Sequence, residues 1–182
     1  MRKLIFLTAI TLLIGLTANA QTKYFTKKGK ISFMSETPIG EGVEATNNRV
    51  ASVLEIESGK IEFSVLISGF EFEKALMQEH FNENYMESKQ FPKATFKGVI
   101  TNLKEVDFKK DGIYPVNLKG DMTLHGVTKP ITEKGTITVK NGKISATAGI
   151  TLALADYKIK APKVDQEIKT KIEIALYEPL KK

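Results

Sequence analysis

Residues 144–154 read ISATAGITLAL. Ile144, Ala146, Ala148, Ile150, Leu152 and Leu154 fall on one side of an extended chain, with Ser145, Thr147, Gly149, Thr151 and Ala153 on the other. Side chains alternate between the two faces of a strand, so this run describes a strand with one buried and one wet face. That is the pattern of an antiparallel sheet.

The same period repeats outward from this stretch. Towards the C-terminus, Ile168, Ile172, Ile174 and Leu176 alternate with Lys169, Lys171 and Glu173; towards the N-terminus lie Tyr114, Val116, Leu118, Met122 and Leu124. Farther upstream, Ile61, Phe63, Val65 and Ile67 oppose Glu62, Ser64 and Ser68. Ser58-Gly59, Asp111-Gly112, His125-Gly126 and Asn141-Gly142 separate alternating segments. Such dipeptides favour turns with positive φ and are read as hairpins. Eight strands are expected, near 23–34, 48–57, 60–70, 93–106, 113–124, 127–140, 143–155 and 166–177.

One segment departs from period two. In Glu73–Glu87 (EKALMQEHFNENYME), Met77, Phe81 and Tyr85 recur every fourth residue, which predicts an amphipathic helix ending near Ser88 and Phe91-Pro92. The fold class expected is therefore all-β, with one helix over about 73–87. Eight one-sided strands in meander order close most simply into a barrel, because closure removes the sheet edges. A barrel of that size is filled by side chains or holds one small ligand. Patterning alone leaves both outcomes open. The small Ala146 and Ala148 on the inner face are expected to leave room, so Ala146→Phe is expected to block a ligand.

Composition limits the chemistry. The chain has 182 residues, no Cys and only two His, which excludes thiol nucleophiles, disulfides, cysteine-ligated zinc and iron–sulfur sites. The formal charge is +6, but its clusters, Lys27-Lys28-Lys30, Lys109-Lys110 and Lys181-Lys182, have no interleaved aromatic residues to stack on bases. They read as solvated surface, and no nucleic-acid partner is expected. There is no G-x-S-x-G, G-x-x-x-x-G-K-[ST], G-x-G-x-x-G or H-E-x-x-H sequence. Lys109-Lys110-Asp111-Gly112 lacks the oxygen ligands of a calcium loop. His80 shares its predicted helix with Glu79 and Glu83, and His125 stands at a hairpin corner. The first reads as a helix-surface residue rather than a metal ligand, the second as a partner for local backbone. No cofactor, metal or catalytic residue is expected.

The chain opens with Met1-Arg2-Lys3, an uncharged and mostly apolar run from Leu4 to Leu16, and Ala18-Asn19-Ala20. A basic start, a short apolar core and a small-x-small site describe a cleaved export signal, and the run is too short to span a bilayer. The expected organisation is a signal over 1–20 and one domain over 21–182, periplasmic or secreted, with no integral membrane span.

Leu124-His125-Gly126-Val127-Thr128-Lys129-Pro130 resembles the hairpin signature of the YceI-like family of polyisoprenoid-binding proteins. Lys23-Tyr24 with Ile31-Ser32-Phe33, Phe91-Pro92-Lys93-Ala94-Thr95-Phe96 and Asp156-Tyr157-Lys158-Ile159 match in order. The wording HFNENYMES at 80–88 resembles a branch of small exported members. The resemblance implies a lipocalin-like barrel around an apolar chain. It departs from the family at Ile150–Ala155, where members commonly carry a Phe-rich stretch.

The leading expectation is a non-enzymatic carrier of a lipid-like molecule, such as a polyisoprenoid, quinone tail or fatty acyl chain. Its wall residues are expected to be Phe33, Phe63, Val65, Phe96, Val116, Leu118, Ile150, Leu152, Ile172 and Ile174, with Met77, Phe81 and Tyr85 as a lid or plug. The alternatives are an exported interaction protein with a packed barrel, or a His-dependent enzyme. The pattern does not specify oligomeric state, and a dimer is compatible with it.

Overall fold

The computed structural model describes residues 22–36, 42–162 and 164–180; the expected signal at 1–20 lies outside them. The described chain forms β1 (Lys23–Glu36), β2 (Gly42–Glu55), β3 (Lys60–Leu66), a two-residue β4 (Glu71–Phe72), α1 (Ala75–His80), β5 (Lys93–Ile100), β6 (Gly112–Leu124), β7 (Val127–Lys140), β8 (Lys143–Ala153) and β9 (Glu167–Pro179). Eight of these strands pair in the order β1-β9-β8-β7-β6-β5-β3-β2, and β2 pairs back to β1. The result is the expected closed antiparallel barrel. β4 adds only a short rung to the rim of β2.

The hairpin signals divide into those that make tight turns and one that does not. His125-Gly126 and Asn141-Gly142 have φ of 49° and 72°, and 51° and 72°, the double positive φ of a two-residue hairpin. Asp111-Gly112 is not such a turn. β5 stops at Ile100, and residues 101–111 cross the end of the barrel through a 3₁₀ turn at Leu103–Glu105. Leu103 and Val106, expected within the strand at 93–106, pack with Phe108 under the barrel as a cover. The Asn102 side chain takes over from the ladder there, its Oδ1 accepting from the Asn117 N–H at 2.8 Å.

Other boundaries also move. β2 begins at Gly42 rather than 48, β3 ends at Leu66 rather than 70, and β8 ends at Ala153 rather than 155. The helix spans 75–85 rather than 73–87, and its last turn, Phe81–Tyr85, has π geometry. The Met86 N–H reaches back five residues to the Phe81 carbonyl at 2.9 Å.

Bulges reset the inward face where simple alternation would misplace it. β8 pairs Ile144 with Tyr177 and Ala146 with Ile174, so β9 carries one extra residue. Leu176, expected inside, is 38% exposed, and Tyr177 is 2% exposed in its place. β1 and β2 each carry one extra residue on either side of the Gly29–Val50 pair, which brings both Asn47 and Val50 inside. A bulge changes strand parity, because two residues then oppose one.

Two close approaches tighten the packed end. Gly98 of β5 lies opposite Gly120 of β6. A Cβ on Gly120 would stand 2.3 Å from the Lys97 carbonyl oxygen and 2.4 Å from the Gly98 Cα. Nearby, the buried Tyr177 hydroxyl sits 2.7 Å from Ser52 Oγ, and Ser52 donates to the Glu62 carbonyl at 2.8 Å. Tyr177 therefore donates to Ser52, and the chain of bonds ends on backbone. Burial pushes the Tyr177 phenol up to about 12.

Gly120→Ala forces backbone apart and should lower stability by about 1–3 kcal/mol in urea unfolding. Tyr177 is neutral when folded, so its contribution is full below the ordinary phenol pKa and is lost as pH rises from about 10 towards 12. That loss amounts to about 2–3 kcal/mol. Tyr177→Phe should be somewhat less stable at neutral pH, and its urea midpoint should fall less than the wild type's between pH of about 8 and about 11.

Candidate functional site

The barrel interior is two regions with different packing. At the end carrying the helix is a cavity of about 280 Å³. At the other end the space shrinks to a void of about 40 Å³. The division runs consistently around the strands. Val65, Ala94, Met122, Leu152 and Thr170 border the large cavity. One or two inward positions farther along the same strands, Ile61, Phe96, Leu118, Ile150 and Ile172 border the small void.

The expected wall residues all lie inside the barrel, but they do not form one site. Phe33, Phe63, Val65 and Leu152 border the large cavity. Phe96, Val116, Leu118, Ile150, Ile172 and Ile174 border only the small void, and all six are buried. Ala146 and Ala148 also lie at that end. They leave little room there, so Ala146→Phe would press on packed core rather than block the large cavity, contrary to the expectation from sequence.

The helix forms one wall of the cavity through Met77, Phe81 and Tyr85, with Met86 just beyond its end. Phe81 is fixed rather than free: its ring lies 5.9 Å from Phe33, 5.5 Å from Phe70 and 5.0 Å from Phe72. Each tilted or stacked pair contributes about 0.5–1.5 kcal/mol beyond burial. The π turn widens the helix so that the adjacent Tyr85 and Met86 both reach the cavity. The lid expected over Met77, Phe81 and Tyr85 is thus a wall anchored by an aromatic cluster.

Further lining comes from segments beyond the strand ends. Ile67 and Phe70 belong to the 3₁₀ turn after β3 and its exit. Leu154, Ile159, Ala161 and Val164 come from the turn after β8 and the segment leading to β9. Ile67 and Leu154 continue the alternation of the strands before them, whereas Phe70, Ile159, Ala161 and Val164 are marked in the sequence only by being apolar.

The polar groups of the lining are mostly engaged. Ser35 Oγ accepts from the Asp165 N–H at 3.0 Å, and Asp165 Oδ2 accepts from the Glu36 N–H at 2.9 Å. Thr170 Oγ1 donates to the Ile150 carbonyl at 3.0 Å. The interior surface left for a ligand is therefore apolar. His80 is exposed while still bordering the cavity, which marks the mouth.

His125 is not at this cavity. Its Nδ1 lies 3.1 Å from the Tyr157 carbonyl and its Nε2 lies 2.9 Å from Glu87 Oε2, with its ring 4.4 Å from Phe91. The sequence expectation was a bond to local backbone; both partners are instead distant in the chain. Both ring nitrogens are therefore occupied by partners from elsewhere in the fold. His125 ties the β6–β7 hairpin to the exit of the helix and to the turn after β8. Among the described residues, no group of three or more His, Asp and Glu side chains could hold a metal ion. Among the same residues no helix is long and apolar enough to cross a membrane.

The solved structures that resemble this barrel share little sequence with it. A polyisoprenoid-binding domain from Saccharophagus degradans, implicated in plant cell wall breakdown, superposes with a TM-score of 0.76 at 11% identity, over 88% of this chain and 99% of that one. BcnA of Burkholderia cenocepacia gives 0.68 at 14% identity, over 83% and 96%. The YceI protein of Campylobacter jejuni gives 0.57 at 19%, over 76% and 85%. At these identities the likeness concerns the fold. Two curated relatives are UPF0312 proteins: one from Pseudomonas fluorescens, 33% identical over 44% of this chain and 40% of its own length, and one from Pseudomonas putida, 28% identical over 58% and 55%. The chain thus spans about half the length of the curated relatives it matches. Residues 22–176 match the sequence profile of the YceI-like domain, nearly the whole barrel, and the chain belongs to that family.

Proposed function

We propose that this protein is a non-enzymatic carrier that takes one end of a lipid-like chain into the helix end of its barrel. The observation that carries the reading is the cavity of about 280 Å³, whose Ser35 and Thr170 hydroxyls are already bonded to the backbone. Such a wall selects for apolarity and shape, and burial supplies about 0.8 kcal/mol per methylene. The name of the Saccharophagus domain, polyisoprenoid-binding, supports the same chemistry on the same fold. A polyisoprenoid, a quinone tail or a fatty acyl chain would satisfy it.

The cavity is at the lower limit of ordinary ligand pockets, about 300–1,000 Å³. It therefore suits the terminal part of a chain, with the remainder and any polar head at the mouth beside His80 and Tyr85. An interaction protein with a solid barrel would not need this space. The two histidines give an enzyme little support: His125 is engaged on both nitrogens, and His80 stands at the mouth. The basic start, apolar run and Ala18-Asn19-Ala20 support export to the periplasm or the medium.

The test is chemical. Organic-solvent extraction of the purified protein, followed by mass spectrometry, should release a lipid with a long apolar chain. A clean extract from protein that also fails to bind added fatty acid would overturn the reading. Leu152→Trp should fill the large cavity and abolish the extractable lipid, with circular dichroism and Tm close to wild type.

A further inference from the structure

We propose that Phe63 is the floor of the binding cavity and sets how long a chain the barrel accepts. The inference rests on the carrier reading above and adds a residue that determines specificity.

The large cavity and the small void are separate spaces, and among the described residues Phe63 alone borders both. Its ring stacks on that of Phe96 at 5.5 Å with an interplanar angle of 21°. The two residues are direct partners across the β3–β5 ladder, so the stack is built into the register. Phe96 is held in turn. A Cβ on Gly98 would fall 2.5 Å from Phe96 Cζ, so the ring lies over the bare backbone of that glycine. Opposite it, Gly120 likewise has no side chain. The glycine pair therefore seats Phe96, and Phe96 backs Phe63.

Below this floor the lining includes Gly135, Ala146 and Ala148, small residues around a space of about 40 Å³. That volume is too small for a useful length of chain while Phe63 stands. Removing the Phe63 ring would join the two spaces along the barrel axis. A chain entering from the mouth could then pass the level of Ile150 and Ile172.

The experiment measures affinity for a series of saturated fatty acids, from octanoate to stearate, by displacement of a fluorescent probe. For the wild type, Kd should fall by about fourfold per added methylene until the chain reaches the floor, and then level off. In Phe63→Ala the levelling should move to longer chains. Adding Ala148→Leu to that variant should refill the lower space and return the levelling towards the wild-type length. Removal of a core ring destabilises, so Phe63→Leu provides a milder variant with a smaller shift in the same direction. If the wild type levels off and neither variant moves that length, the floor assignment is overturned while the carrier reading stands. If the wild type binds no member of the series, the carrier reading fails, and the floor fails with it.

Discussion

Closure by β1 is the constraint on which the rest of the molecule depends. β1 pairs with β2 on one side and β9 on the other, so neither end of the sheet is left as an open edge. A closed sheet confines every inward side chain to one shared volume, and strand number sets how large that volume is. The bulges of β1, β2 and β9 are where the chain adjusts to closure. Gly29 sits between two of them, and a Cβ there would stand 2.4 Å from Ile174 Cδ1. The seam closes this tightly because the strands change parity on either side of it.

Within that volume the two ends are built differently. The packed end has interior side chains that meet across the axis, an internal hydrogen-bond chain from Tyr177 through Ser52 to backbone, and a cover made by Leu103, Val106 and Phe108. At the helix end, the strands give way to 3₁₀ turns, a short rung of strand and a helix. These elements stand around the rim rather than fill the axis. The cavity is the space left because irregular segments line that end without crossing it.

The hairpin signature shared with the YceI-like family acquires a physical meaning here. His125 occupies a positive-φ position in a tight turn, which puts its ring between the Tyr157 carbonyl and Glu87. One side chain thus connects a hairpin, the helix exit and the turn that brings Leu154 to the cavity. Lys129, also in the signature, reaches Asp156 at 3.0 Å across the same junction. His125 and Lys129 of the signature thus maintain the rim of the cavity, while its first residue, Leu124, borders the cavity itself.

The sequence by itself determined the barrel, because period-two alternation is a local property and each strand reports its own faces. It determined the inward side of Phe63, Val65, Ile150 and Ile172 for the same reason, and it located the helix through Met77, Phe81 and Tyr85. Leu176 and Tyr177 show where this reading ends: a bulge exchanges them, and a bulge arises from the fit between two strands, which neither strand's pattern contains. Likewise, Leu103 and Val106 were expected to continue the β5 strand, yet with Phe108 they cover the barrel end, because the Asn102 side chain takes the β6 backbone groups that a longer β5 would have paired. Only the tertiary structure decided which inward residues meet empty space and which meet one another. Ala146 looked like room for a ligand and Phe63 looked like wall. Whether a residue borders a cavity depends on the strands across the axis, far away in the chain, and the closed barrel alone brings those strands together.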